Sequence, residues 1–256
     1  MKTKLLILSA VAAWAAFLPL SEEAQLLNSA DSFAVLGATT VTSTGNSFLY
    51  GNLGVSPGTS ITGFPTPGTV VGLTYDGGTV ASQAQADALT AYNTLAGETF
   101  TLSLTGLNLG GETLSPGVMN FSSSAQLTGT LTLNANGDPN ARFDFQIGST
   151  LTTAANSSVV LENGAQANNV FWQVGSSATL GADTAFSGTI LADQDITLDS
   201  GASISGRALA LTGGVTLNDN IVAVPEPASC WLVVFGASFV GIRQWLAVWQ
   251  RKAGRC

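Results

Sequence analysis

Histidine is absent from this chain of 256 residues, which removes the usual general base at neutral pH and the commonest side-chain ligand of transition metals. Cysteine is nearly absent too. Cys230 and Cys256 both lie close to the C-terminus, so the middle of the chain can form no internal disulfide and must be held by packing and backbone hydrogen bonds. Basic residues are scarce where they would matter for a polyanionic partner: from Glu22 to Val224 only Arg142 and Arg207 stand against fifteen acidic residues, a net charge of −13. Such a surface repels a phosphate backbone and argues strongly against nucleic acid as a partner. Charge of either sign is sparse at 9% of residues while 45% are hydrophobic, which separates this chain from disordered acidic proteins.

What the chain has in abundance is Ser, Thr, Ala and Gly, arranged with a recurrent phrase. Thr59-Ser60-Ile61-Thr62-Gly63, Ala125-Gln126-Leu127-Thr128-Gly129, Thr184-Ala185-Phe186-Ser187-Gly188 and Ala202-Ser203-Ile204-Ser205-Gly206 each place one bulky apolar residue before a hydroxyl and a glycine. The apolar member is expected to point into a core and the glycine to turn a corner. Ala178-Thr179-Leu180, Asp195-Ile196-Thr197-Leu198 and Val215-Thr216-Leu217 recur at offsets of eighteen and nineteen residues. Strand-like stretches at Val35–Ser43, Phe100–Thr105, Gln126–Leu133, Ala141–Ile147, Ser158–Leu161 and Val170–Val174 are short and separated by Gly and Asn. A period near eighteen suits one coil of a β-solenoid with three short walls better than a hairpin sandwich. Gln146-Ile147-Gly148-Ser149 echoes Gln173-Val174-Gly175-Ser176 at an offset of twenty-seven, so one coil carries an insertion.

One stretch follows another rule. Ser82–Ala96 places Ala84, Ala88, Ala91, Tyr92 and Leu95 on one helical stripe, with Ser82 and Gln85 as a capping box and Gly97 as the stop. At 1.5 Å per residue this helix is about 22 Å long, the height of four or five strands stacked about 4.8 Å apart, so it is expected to lie along the solenoid axis and cover one wall.

Both ends read as targeting segments. Lys2 and Lys4 precede the apolar run Leu5–Leu20, as in a secretory signal peptide over 1–24 with a cut between Ala15 and Ala24. Near the other end Pro225-Glu226-Pro227 precedes the apolar run Trp231–Ile242 and a basic tail containing Arg251 and Lys252. This order resembles the PEP-CTERM sorting signal of Gram-negative envelope proteins, here 223–256. The resemblance implies handling by an exosortase-type membrane enzyme and delivery to the cell surface or matrix. A plain C-terminal transmembrane anchor is the alternative, with the basic end kept inside.

Between these segments, over 25–222, an ordered series of motifs resembles the microbial ice-binding (antifreeze) protein family. Phe33-Ala34-Val35-Leu36-Gly37, Gly51-Asn52-Leu53-Gly54-Val55-Ser56-Pro57-Gly58, Leu114-Ser115-Pro116-Gly117-Val118, Asn169-Val170-Phe171-Trp172-Gln173-Val174-Gly175 and Gly188-Thr189-Ile190-Leu191-Ala192 carry it. The resemblance implies an all-β fold with one long helix, an irregular right-handed three-faced β-solenoid with the helix packed along its axis. It also implies adsorption to ice through one flat wall of Thr, Ser, Ala and Asn. Some members carry a Thr-(Ala/Gly)-x-(Thr/Asn) tetrad on that wall. Thr153-Ala154-Ala155-Asn156 fits it and Ser200-Gly201-Ala202-Ser203 softens it, while the stretches around Thr59 and Ser60 and around Thr184 depart from it, Asp183 most of all. Candidate ice-contacting residues are therefore Thr59, Ser60, Thr153, Asn156, Thr184, Ser200 and Ser203.

Against this stands the ordinary role of Ser and Thr in strands and corners, where β-propensity and turn chemistry call for them. A second function on the same scaffold is a surface or matrix adhesin that binds exopolysaccharide or other cells. A third is a carbohydrate-active enzyme using Asp193, Asp195 and Asp199, but nothing basic or aromatic surrounds them as a groove. The expectation is an exported, monomeric ice-binding protein without catalytic residues, metal or cofactor.

Overall fold

The structure, a computed structural model, describes residues 26–225. The segments expected to be a signal peptide (1–24) and the part of the sorting segment beyond Pro225 lie outside the described residues. A short 3-10 turn (Asn28–Ser32) leads into a first coil of β1 (Phe33–Gly37), β2 (Thr40–Thr44) and β3 (Phe48–Tyr50). A second coil follows, β4 (Asn52–Val55), β5 (Ser60–Thr62) and β6 (Thr69–Val71), then β7 (Thr74–Asp76) and the helix α1 (Gly78–Ala96). Beyond it come β8 (Leu102–Ser103), β9 (Thr113–Leu114), β10 (Gly117–Phe121), β11 (Ala125–Leu127) and β12 (Thr130–Asn134). The next coil is β13 (Phe143–Ile147), β14 (Leu151–Thr153) and β15 (Ser158–Glu162), followed by β16 (Val170–Val174) and β17 (Ala178–Leu180). Last are β18 (Ala185–Ala192), β19 (Ile196–Leu198), β20 (Ser203–Ala210), β21 (Val215–Asn218) and β22 (Ile221–Ala223).

All pairings between these strands are parallel, and they build three walls. Wall one holds β1, β4, β7, β8, β10, β13, β16 and the second halves of β18 and β20. Wall two is the sheet β11-β14-β17-β19-β21-β2-β5. Wall three holds β3, β6, β9, β12, β15, β22 and the first halves of β18 and β20. The stacking order departs from the chain order: the first coil sits directly on the last, β2 pairing with β21 and β1 with β20. β7 and β8 are thus at opposite ends of the stack, and α1 carries the chain back between them.

The helix is longer than its stripe suggests. It starts at Gly78, four residues before Ser82, with Gly77 as an N-cap that has no side-chain bond, so the expected capping box at Ser82 is interior helix. Gly97 does stop it, its N–H donating to Asn93 O at 3.1 Å. Its Ala84, Ala88, Ala91 and Leu95 pack with Phe33, Leu36, Phe171, Leu191 and Leu209 on the outside of wall one. The central strands of wall one, such as β1 and β16, are buried on both faces, which is why they read as nearly continuous apolar runs.

Inside the tube the apolar members of the recurrent phrase do face the core: Leu127, Phe186 and Ile204 are buried and Ile61 packs beside them. The phrase is not a single structural position, however. Ile61 and Leu127 lie on wall two, Phe186 and Ile204 on wall three, and their glycines turn different edges of the prism. Phe145 and Trp172 stack with ring centroids 3.8 Å apart, and Trp172 Nε1 donates to Ser187 O at 3.0 Å. Several expected strands ran through corners: Val35–Ser43 breaks at Ala38-Thr39 and Gln126–Leu133 at Thr128-Gly129.

Candidate functional site: the outer face of wall two

Wall one lies under the helix, which leaves walls two and three with outward faces. In a strand alternate side chains share a face. On wall two the inward set is apolar apart from the buried Ser43 and Thr153, and the central outward file is hydroxylated. Register places Thr152 beside Thr179, Thr179 beside Thr197, Thr197 beside Thr216, Thr216 beside Thr42 and Thr42 beside Thr62. Gln126 continues this file beyond Thr152. Six threonines thus form one straight row, about 24 Å long at roughly 4.8 Å per strand.

Each threonine presents a methyl and a hydroxyl with one stiff torsion, because branching at Cβ restricts χ1. Thr62 Oγ1 donates to Thr42 Oγ1 at 3.2 Å. Among the described residues the hydroxyls of Thr152, Thr179, Thr197 and Thr216 have no partner within the protein, so they are left to solvent. On one side of the row run Ser124, Thr150, Ser177, Asp195, Gly214, Thr40 and Ser60, with Thr150 Oγ1 donating to Ser124 Oγ at 2.9 Å. On the other side Ala154, Gly181, Asp199, Asn218 and Thr44 continue the strands.

Wall three is less uniform. Its file Thr130, Ser158, Ala185, Ser203, Ile221, Phe48 passes from hydroxyls to large apolar groups, and Tyr50 and Val71 are exposed nearby. Several of its hydroxyls are already used: Thr130 and Ser158 bond each other at 2.9 Å and Ser187 Oγ donates to Val159 O at 3.1 Å.

The residues singled out from sequence scatter over this geometry. Ser60 is exposed on wall two beside Thr40, and Thr59 is exposed just before it. Thr153 and Thr184 are 3% and 0% exposed, and their hydroxyls bond each other at 2.9 Å inside the prism. A side chain buried in this way cannot meet an external surface. Thr153 differs from outward Thr152 by one residue, and in a strand one residue reverses the face. Asn156 and Ser200 are exposed in turns, and Ser203 begins the stretch of β20 on wall three.

The family tetrad does not follow the strand register. Thr153 lies beside Leu180, and Leu180 beside Leu198, so the counterpart of Thr153–Asn156 is Leu198–Gly201 rather than Ser200–Ser203. Asn156, Asp183 and Gly201 are the turning residues of one edge, with φ of +60°, +55° and +76°. Asn, Asp and Gly are the residue types that tolerate this left-handed conformation. Their identity answers a backbone requirement. The signal that marked the wall was present in Ala178-Thr179-Leu180, Ile196-Thr197-Leu198 and Val215-Thr216-Leu217, whose central threonines are the row.

The two acids that flank β19 are too far apart for a glycosidase pair. Asp195 and Asp199 stand at the two ends of β19, about 13 Å apart at 3.3 Å per residue, beyond the roughly 5–9.5 Å that such carboxylates span. No group of three or more His, Cys, Asp or Glu among the described residues is placed to hold a metal ion.

Compared with known families, residues 35–223 match the model described as Ice-binding-like. The chain belongs to this ice-binding family. The ice-binding protein of Nostoc sp. (strain HG1) is 52% identical over 254 residues, covering 93% of both chains. Among solved structures, an ice-binding protein from an Antarctic biological consortium superposes with a TM-score of 0.76 at 45% identity, covering 78% of this chain and 90% of that one. One from the ascomycete Antarctomyces psychrotrophicus gives 0.76 at 40% identity, covering 78% and 98%. The family likeness spans the whole stack of coils, helix included.

Proposed function

We propose that this protein adsorbs to ice through the outer face of wall two, and that Thr42, Thr62, Thr152, Thr179, Thr197 and Thr216 are its principal contacts. The observation that carries the reading is the row itself: six threonines in unbroken register, four of them with hydroxyls unused by the protein. Stiff side chains on a rigid sheet lose little conformational freedom when they order water. Hydroxyls and methyls at even spacing can hold a shared water layer in which each bond is weak but the repetition is large. Ser60 and Thr59 extend the contact at one end, and Asn156 and Ser200 border it.

The names of the relatives support ice as the ligand rather than polysaccharide. Full-length protein carrying Thr179→Tyr or Thr216→Tyr should lose most thermal hysteresis and recrystallisation inhibition, because a ring standing above the row holds the rest off the crystal. Ser205→Tyr, exposed on wall three, should keep both. Wild-type protein that neither shapes nor slows growing crystals would end this reading.

The site of action is outside the cell, as the lysine-led apolar run at the N-terminus suggests, and the protein works as a monomer. The Pro225-Glu226-Pro227 tail with Arg251 and Lys252 directs delivery through an exosortase-type enzyme. Among the described residues no helix is long and apolar enough to cross a membrane.

A further inference from the structure

The outer face of wall two carries two carboxylates, and both belong to one strand level. Asp195 and Asp199 immediately flank β19, two residues to either side of the outward Thr197, and both are exposed, which sets them on its side of the wall by the alternation of an extended chain. They are held differently. Asp195 Oδ1 accepts the Gly214 N–H at 2.8 Å. Gly214 is the next member of Asp195's own file, and this bond to its N–H fixes the place of the carboxylate against the next strand level. The neighbouring Gly213 keeps that place open, since a Cβ there would be 2.4 Å from Asp195 Oδ1.

Asp199 has no such anchor. It is exposed, and among the described residues its carboxylate accepts no hydrogen bond. The residues that continue its file are Ala154 and Gly181 on one side and Asn218 and Thr44 on the other, all uncharged. Asp183 turns the edge between walls two and three with φ +55°, in the corner between β17 and β18.

We infer that Asp199 limits how strongly this wall adsorbs to ice, an inference that rests on the ice reading above. An unpaired carboxylate binds its own hydration shell tightly, and releasing or reorganising that shell is costly. Water around Asp199 is therefore held in a pattern set by the charge, between the Thr152–Thr179 part of the row and the Thr216–Thr42–Thr62 part. The row is continuous in side chains but interrupted in its water layer beside Thr197.

The test uses full-length protein and the lowest concentration that inhibits ice recrystallisation. Asp199→Asn keeps the shape and removes the charge, and the same file already holds an asparagine at Asn218. It should lower that concentration about three-fold or more, because the desolvation penalty of a charge far exceeds that of an amide. Asp183→Asn makes the same change of net charge off the wall and should leave it unaltered. Equal activity of Asp199→Asn and wild type overturns the inference, as does an equal gain from Asp183→Asn. If Thr179→Tyr abolishes activity in the same assay, the ice reading survives that failure. Wild type and Asp199→Asn both without activity would overturn the two together.

Discussion

Removing the Asp31 carboxylate tests whether the junction between the first and last coils holds the stack together. Arg207, on β20 of the last coils, is 1% exposed. Its Nε donates to Asp31 O at 2.7 Å, one terminal nitrogen donates to Asp31 Oδ1 at 2.7 Å and the other to Thr189 Oγ1 at 3.3 Å. Asp31 belongs to the turn that leads directly into β1, so this cluster spans the junction that wall two crosses between Thr216 and Thr42. Asp31→Ala leaves the Asp31 backbone acceptor and Thr189 in place and deletes one charged acceptor. A hydrogen bond to a charged group contributes about 1.5–3 kcal/mol, and breaking a fully buried pair costs about 3–5 kcal/mol. The Asp31 side chain is 31% exposed, so water replaces part of what is lost and the expected cost is nearer 2 kcal/mol. In a domain of this size 1 kcal/mol moves the melting midpoint by about 2–4 °C, so Asp31→Ala should lower it by about 4–8 °C. Differential scanning calorimetry on wild type and variant measures this directly. An unchanged midpoint would refute the view that the junction is clamped by this pair.

Asp144 gives a pH dependence. Burial under the end of α1 raises its pKa from 3.8 to about 7, outweighing the Arg142 guanidinium 2.9 Å away, and Glu98 adds to the rise. The folded protein then keeps a proton that the unfolded chain has already released. Stability from this group is greatest in acid and falls as pH rises from about 4 to about 7, and Asp144→Asn should flatten that fall in urea midpoints taken across the window. Trp172→Ala, which empties the centre of the aromatic stack with Phe145 and Phe186, should cost about 3–5 kcal/mol in chemical denaturation.

The solenoid was legible because its signals are local and repeated. Bulky residues such as Leu127 and Ile204 recur before glycines, and the eighteen-residue offset between Ile196 and Ala178 is one true coil. Which side a hydroxyl faces was harder to read. Thr152 and Thr153 are equally good ice-contact candidates by composition, and only pairing with Thr179 and Leu180 shows which one is outside. The same holds for the edge residues. Asn156 fits a family tetrad, yet its φ of +60° shows that the chain needs it to turn. The stacking of the first coil upon the last left no periodic trace, since β2 and β21 are about 170 residues apart in sequence and meet only after the helix has returned the chain.

That return path has a consequence for the order in which the molecule assembles. Most solenoids can nucleate at any repeat and grow outward by adding neighbours in sequence. Here the two coils made first have no partner on the β1 side until β20, β21 and β22 exist, so their edges stay open while the rest of the chain is synthesised. Closure is then a single late, long-range event, of the kind that slows folding through the entropy of joining distant segments. Rejoining the chain so that β22 runs directly into β1, with new ends placed beside α1, would convert that event into a local one, and such a permuted protein should refold faster than the natural order does.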